Sequence, residues 1–115
     1  MTIPADKRAF DRIQRKFVLR VSADDSPWPL WSMVTTHNLS AGGAQFTIDQ
    51  KLKVGQPLLI KLHFVDREID CKGKVSRIAD GFQNPLMNLA VTFEWGSEID
   101  REYVEQFVKH YKEQT

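Results

Sequence analysis

Gln56-Pro57-Leu58-Leu59-Ile60-Lys61-Leu62-His63-Phe64-Val65 is the most regular stretch of the 115-residue chain. Leu58, Ile60, Leu62 and Phe64 alternate with Leu59, Lys61 and His63, a period of two that marks a strand with one buried face. Working outward, Phe17, Leu19 and Val21 alternate in the same way with Val18 and Arg20, and Leu89, Val91 and Phe93 with Ala90, Thr92 and Glu94. Residues 31–36, 44–48 and 69–78 carry weaker versions of the pattern. Turn signals separate these runs: Asp24-Asp25-Ser26-Pro27, Gly42-Gly43, Val54-Gly55, Asp66-Arg67, and Asp80-Gly81 through to Pro85. About six short strands at close spacing predict a mainly β domain, a small antiparallel barrel or sandwich.

From Ser97 onward the period changes. Ser97 can cap a helix, and Glu98, Asp100 and Glu102 occupy its first turns, where the helix dipole favours negative charge. Ile99, Tyr103, Phe107 and Tyr111 recur every four residues beside Val104 and Val108, with Lys109 and Lys112 near the C-terminal end. This is an amphipathic helix expected to pack on the barrel; a partner-binding helix is the alternative use of such a stripe. The expected organisation is one domain: a flexible N-terminal arm over 1–14, the barrel over 15–95 and the helix over 96–115.

Composition narrows the class. Hydrophobic residues at 42% and charged residues at 27% are those of an ordinary soluble globule. The single cysteine, Cys71, excludes an intramolecular disulfide framework and a multi-cysteine zinc site. No apolar run approaches the roughly 20 residues that span a bilayer. Residues 1–11 lack the apolar stretch of a secretory signal, so a cytoplasmic protein without membrane insertion is expected. The net charge of +1 is unevenly placed. Residues 1–20 hold Lys7, Arg8, Arg12, Arg15, Lys16 and Arg20 against Asp6 and Asp11, a local +4, which leaves −3 on the rest. That asymmetry points to a local anion site, or else to a solvated arm, and the near-zero total argues against a nucleic-acid polymer as partner. A single-stranded nucleic-acid binder would need Trp28 and Trp31 as stacking platforms; both lie beside a turn, where aromatics more often close a barrel end.

Catalysis finds little support. His37, His63 and His110 are scattered without metal-ligand spacing, and Cys71 sits in the apolar phase of its run as a small hydrophobe. Asp24-Asp25 and the pair Glu98 and Asp100 fit a turn and a helix start, and no phosphate-cradling glycine loop of the GxxxxGK or GxGxxG kind is present. No enzyme, metal or cofactor is expected.

Two short pieces carry more. Arg8-Ala9-Phe10-Asp11-Arg12, preceded by Lys7, spaces two arginines four apart; Asn38-Leu39-Ser40-Ala41-Gly42-Gly43 lies where one strand ends and the next begins. Arginine offers a rigid fork of donors matching a phosphate or the O6/N7 edge of guanine. Asn38 and Ser40 supply short polar groups, and a glycine allows close backbone approach. Taken singly, the arginines could be solvated and Asn-x-Ser-x-x-Gly a hydrogen-bonded turn. Together they resemble the signature of the PilZ domain, a bacterial receptor for cyclic di-GMP: RxxxR, then [D/N]xSxxG about two dozen residues later. Gly73-Lys74-Val75-Ser76-Arg77 is similar to the family's fifth-strand pattern, and the resemblance runs from about Lys7 to Tyr111. A second register, Lys16 to Arg20, would put the ligand residues inside the strand of Phe17, Leu19 and Val21. The Arg8/Arg12 register leaves a whole strand between the motifs, so Arg15 and Arg20 are read as solvent-side strand residues.

The resemblance implies a stand-alone, six-stranded PilZ-type barrel with a C-terminal helix, no catalytic activity, and cyclic di-GMP as ligand. Arg8 and Arg12 would fold over it and take its phosphates and a guanine edge, while Asn38, Ser40 and Gly43 would hold another guanine from the barrel wall. Lys7, at the place where family members with a basic residue tend to bind an intercalated ligand dimer, bears on stoichiometry. Arg77 would stack on an exposed guanine, or is an ordinary exposed strand residue. The signal would pass to an unidentified downstream protein through ordering of the arm. Some PilZ-like domains instead bind no nucleotide and act as interaction modules, for example in type IV pilus assembly; those typically lack the arginines or the polar turn.

Overall fold

The computed structural model describes residues 12–13, 17–24, 30–79 and 86–113. Lys7, Arg8, Arg15, Lys16, Trp28, the mobility expected of the arm, and the turns at 25–27 and 80–85 lie outside the described residues. Seven strands and a helix follow in order: β1 (Arg12–Ile13), β2 (Val18–Ala23), β3 (Ser32–Ser40), β4 (Gly43–Ile48), β5 (Pro57–His63), β6 (Glu68–Ala79), β7 (Met87–Glu94) and α1 (Glu98–Glu113). β2 pairs with β3 and β5, β5 with β6, β6 with β7, β7 with β4, and β4 returns to β3, every pair antiparallel. These six strands therefore close into a barrel, the architecture expected from the sequence, and closure leaves none of them with an unpaired edge along its whole length.

Alternation fills the interior. Leu58, Ile60 and Leu62 of β5 point inward, as do Leu19 and Val21 of β2, Phe46 and Ile48 of β4, and Leu89 and Val91 of β7, all essentially without solvent contact. Lys61 and His63 fall on the outer face. Trp31, expected to close a barrel end, stays partly exposed, with the Lys61 ammonium 5.2 Å from its ring centre. Arg20 is exposed on β2, as anticipated.

β3 runs on past the predicted 31–36 and takes Asn38, Leu39 and Ser40 into the strand. Its pairing with β2 begins at Thr35, opposite Val18, so its last residues need another partner on that side. β1 supplies it: Ile13 faces Leu39 and Arg12 faces Ser40. Backbone N–H and C=O groups at a sheet edge are satisfied in this way or left to water. Arg12 and Ile13, read from the sequence as part of a free arm, are thus a short strand.

The helix begins where predicted. Ser97 Oγ accepts the Ile99 amide at 3.2 Å, and Glu98 and Asp100 stand in the first turn. The buried stripe is centred on Val104 and Val108, with Tyr103, Phe107 and Tyr111 beside it. Ile99, expected on that stripe, is 70% exposed. It lies five residues before Val104, about 140° away around a helix of 3.6 residues per turn.

An aromatic cluster seats the helix on the barrel. The Phe64 ring centre is 5.1 Å from Phe17, 4.8 Å from Phe107 and 5.0 Å from Tyr103, and Phe17 is 5.5 Å from Phe107. Such pairs add about 0.5–1.5 kcal/mol each beyond the area they bury. At the solvent side of the cluster Tyr103 Oη donates to Asp66 Oδ1 at 2.5 Å, and the Arg67 guanidinium lies 4.2 Å over the Tyr103 ring. That hydrogen bond holds the Asp66 carboxyl below its ordinary range and raises the Tyr103 hydroxyl.

Phe64→Ala is expected to remove roughly 3–5 kcal/mol of stability in urea melts, whereas Ile99→Ala changes it by no more than about 0.5 kcal/mol. Cys71 is buried in the barrel, and desolvation, then the negative charges of Asp100 and Asp70, push its thiol up to about 12 from an ordinary value of 9.0. The folded state keeps this proton after the unfolded chain has lost it. The contribution to stability is complete below about pH 9 and is lost as pH rises through 12, with a slope of up to about 1.4 kcal/mol per pH unit. Cys71→Ala should flatten that alkaline limb in chemical denaturation, and iodoacetamide should label Cys71 only on unfolding.

Candidate ligand site

Strict alternation along β3 from Val34 and Thr36, both buried, would turn Asn38 and Ser40 into the core. The ladder with β4 shifts register between Thr36 and Asn38, making His37 the extra residue of a bulge. A one-residue insertion flips every side chain beyond it to the other face. Leu39 therefore enters the core, fully buried, while Asn38 and Ser40 face the outer wall. β6 repeats the device: Ile69, Cys71, Gly73 and Val75 point inward, the register with β7 shifts between Val75 and Arg77, and Arg77 emerges on the outside while Ile78 packs against the core.

The register then sets a row across four strands. Asn38 faces Gln45, Gln45 faces Ala90, and Ala90 faces Arg77. A pocket of about 130 Å³ opens on this row, lined by Asn38, Leu39, Ser40, Gly43, Ala44, Gln45, Ala90 and Val91. Arg77 stands one strand beyond the last lining strand, exposed, at the rim rather than in the pocket. On the opposite flank the backbone of Arg12 pairs with that of Ser40. Of the residues that the sequence singled out, Arg12, Asn38, Ser40, Gly43 and Arg77 are gathered on one wall; Lys7 and Arg8 lie outside the described residues.

Ser40 organises the turn after β3: its Oγ accepts the amides of Gly42 and Gly43 at 3.1 and 3.2 Å. Its own O–H has only the Gly43 carbonyl at 3.4 Å, a weak partner, and so is available to an acceptor. Trp95 Nε1 donates to the Ala41 carbonyl at 2.7 Å, and the Gly42 carbonyl accepts the Phe93 amide at 3.0 Å, which tie the turn to the end of β7. Gly43 has a structural reason to be glycine, because a Cβ there would stand 2.0 Å from the Val91 carbonyl oxygen. Asn38 Nδ2 donates to Gln45 Oε1 at 2.6 Å, while Asn38 Oδ1 is buried without a hydrogen-bond partner among the described residues. A buried acceptor left unpaired costs about 1–3 kcal/mol, so this oxygen gains from any donor that reaches it.

Sequence reasoning missed Gln45 and Trp95. Gln45 had a signal, two residues after Gly43 and in the outward phase of a strand opposite the motif. Trp95 had none beyond its residue type. Among the described residues no three His, Cys, Asp or Glu side chains group to hold a metal, and no helix is long and apolar enough to cross a membrane.

A model of the PilZ domain matches residues 6–110, nearly the whole sequence, and the chain belongs to the PilZ domain family. No curated protein matches it closely enough to count. Among solved structures, the Bacillus subtilis inhibitor of motility (MotI/DgrA) aligns over 96% of this chain with a TM-score of 0.79 at 14% identity, and this chain spans 53% of that protein's length. The PilZ domain of CeSA from a cellulose-synthesizing bacterium aligns over 89% of this chain and 98% of its own, with a TM-score of 0.66 at 18% identity. The PilZ domain of Escherichia coli YcgR, solved with c-di-GMP, aligns over 95% of this chain and 94% of its own, with a TM-score of 0.69 at 13% identity. At these identities the likeness is one of fold.

Gly43→Ala is expected to lose roughly 1–3 kcal/mol in thermal or urea denaturation without any ligand present. An unchanged midpoint would mean that β4 can move away from Val91, and that this glycine serves something other than strand packing.

Proposed function

We propose that the chain is a non-catalytic receptor for cyclic di-GMP that passes the signal to a partner protein through its N-terminal arm. The observation that carries this reading is the backbone pairing of Arg12 with Ser40, which joins the two halves of the signature beside a pocket lined by Asn38, whose buried Oδ1 has no partner among the described residues. The ligand brings two phosphates and two guanines. Arginine forks suit the phosphates, and charge-assisted pairs of this kind are about twice as strong as neutral ones. The guanine edge offers N–H donors of the sort that Asn38 Oδ1 lacks, and the Ser40 hydroxyl adds a donor. The YcgR domain solved with c-di-GMP lends the reading support from the same fold.

The proposed mechanism is a clamp. Arg12 reaches the ligand from β1 and Arg8 from the arm that precedes it, while Asn38, Ser40 and Gly43 meet it from the wall and Arg77 caps an exposed base at the rim. Ordering the arm costs about 1–2 kcal/mol per residue fixed, and the ion pairs offset this. The local +4 over residues 1–20 draws the anion in, and binding should weaken with salt. β1 lies against α1 as well as β3, and Phe17 meets Phe107 edge-on, so an arm held by ligand is also held against the helix. The face formed by the arm and helix is the surface offered to the partner.

Calorimetric titration with cyclic di-GMP tests the reading. Binding should weaken about ten- to a hundredfold in Arg12→Ala and in Ser40→Ala, with thermal melts confirming that both variants fold. Two ligands per chain would support the role given to Lys7, and one would remove it. An absence of heat with the unmodified protein would turn the reading to an interaction module that binds no nucleotide.

A further inference from the structure

We infer that Gln45 is a positioning residue for base recognition, holding the Asn38 amide with its oxygen rather than its nitrogen toward the ligand and so favouring guanine over adenine. The inference rests on the cyclic di-GMP reading above and concerns how that site discriminates between bases.

An asparagine amide has a donor end and an acceptor end of nearly the same shape, and a half-turn about Cβ–Cγ exchanges them. A carboxylate has no such ambiguity. A chain that uses Asn at this position must therefore settle which end the ligand meets. Here Asn38 and Gln45 are direct partners across β3 and β4, both on the outer face and both lining the pocket. Asn38 Nδ2 donates to Gln45 Oε1 at 2.6 Å, which commits the donor end to the neighbouring strand. The acceptor end, Oδ1, is buried and has no partner among the described residues.

The polarity of that vacant acceptor matters for the base. Guanine carries two adjacent donors on its Watson–Crick edge, N1–H and the N2 amine. Adenine presents an acceptor at N1 and a single amine at N6. An oxygen turned to the ligand thus gains from guanine and meets a lone pair on adenine. With the amide turned round, its N–H groups would face guanine's donors. Glutamine has both ends too, and the end it presents here is the acceptor, Oε1 on Asn38 Nδ2. The inference is that this arrangement is kept with ligand bound, and the effect of Gln45 should vanish when residue 38 has two equivalent oxygens.

A double-mutant cycle reads this directly. Binding of cyclic di-GMP and cyclic di-AMP would be measured calorimetrically for the unmodified protein, Gln45→Met, Asn38→Asp and the double variant. Methionine keeps the length of glutamine without its acceptor. Gln45→Met should weaken cyclic di-GMP binding about five- to tenfold and narrow its preference over cyclic di-AMP. In the Asn38→Asp background the same change should alter binding less than about twofold. Equal losses in both backgrounds, or no loss in either, would overturn the inference while cyclic di-GMP binding by the unmodified protein left the receptor reading standing. No binding by the unmodified protein would sink that reading, and this inference with it. Gln45→Glu and Gln45→Lys give a second test should methionine disturb folding. The acceptor-only glutamate should keep the guanine preference despite its charge beside an anionic ligand, and the donor-only lysine should lose it despite its favourable charge. The opposite order would mean simple electrostatics and would overturn the inference.

Discussion

A closed ring of six antiparallel strands has room inside for one set of side chains from each strand and for little else. That single constraint, one face in and one face out around a closed circuit, governs the remainder of the molecule. It requires β4 to return to β3, since otherwise both would present unpaired edges. It also means that a polar residue arriving in the inward phase must be buried, replaced or shifted. This chain shifts it. Single-residue bulges in β3 and β6 let Leu39 and Ile78 pack against the core while Asn38 and Arg77 face outward.

The candidate site is a consequence of these adjustments. Both bulges fall next to the same cross-strand row, so the wall where alternation is broken is also the wall where polar groups collect. The turn that follows is held by Ser40 from within and by Trp95 from the end of β7. Gly43 lets β4 come close to β7. In the proposed reading a residue such as Ser40 or Gly43 serves the architecture and the ligand at once. Solved structures that share fewer than one residue in five with this chain still have its fold. The fold asks for a pattern of alternation and turns, which many sequences satisfy, while the turn itself admits few side chains.

The helix joins the two ends of the chain. Phe17 leads out of the N-terminal segment and packs tilted against Phe64 and edge-on against Phe107, so the start of the barrel and the middle of α1 share one aromatic cluster. β1 is caught between β3 and the helix. Arg12 is consequently one packing layer from the helix.

Much of this was legible in the order of residues. The period of two from Leu58 to Phe64 announced a strand with one buried face, the change of period at Ser97 announced a helix, and the spacing of two motifs announced a family. These are local properties, carried by neighbours in the chain. Ile99 misled because a four-residue recurrence drifts from the 100° step of the helix, and its true face is plain only once Val104 and Val108 are seated. The side of the wall on which Asn38, Ser40 and Arg77 stand was not local. A bulge exists because one strand holds one residue more than its partner between two points of register, and that count belongs to the pair. The Gln45 contact and the vacant Asn38 oxygen follow from the same register. Residue order alone therefore specified the six barrel strands, the helix and the residue types of the candidate site; the closing of the ring decided which way they face and where β1 pairs, because both are set by the partner strand.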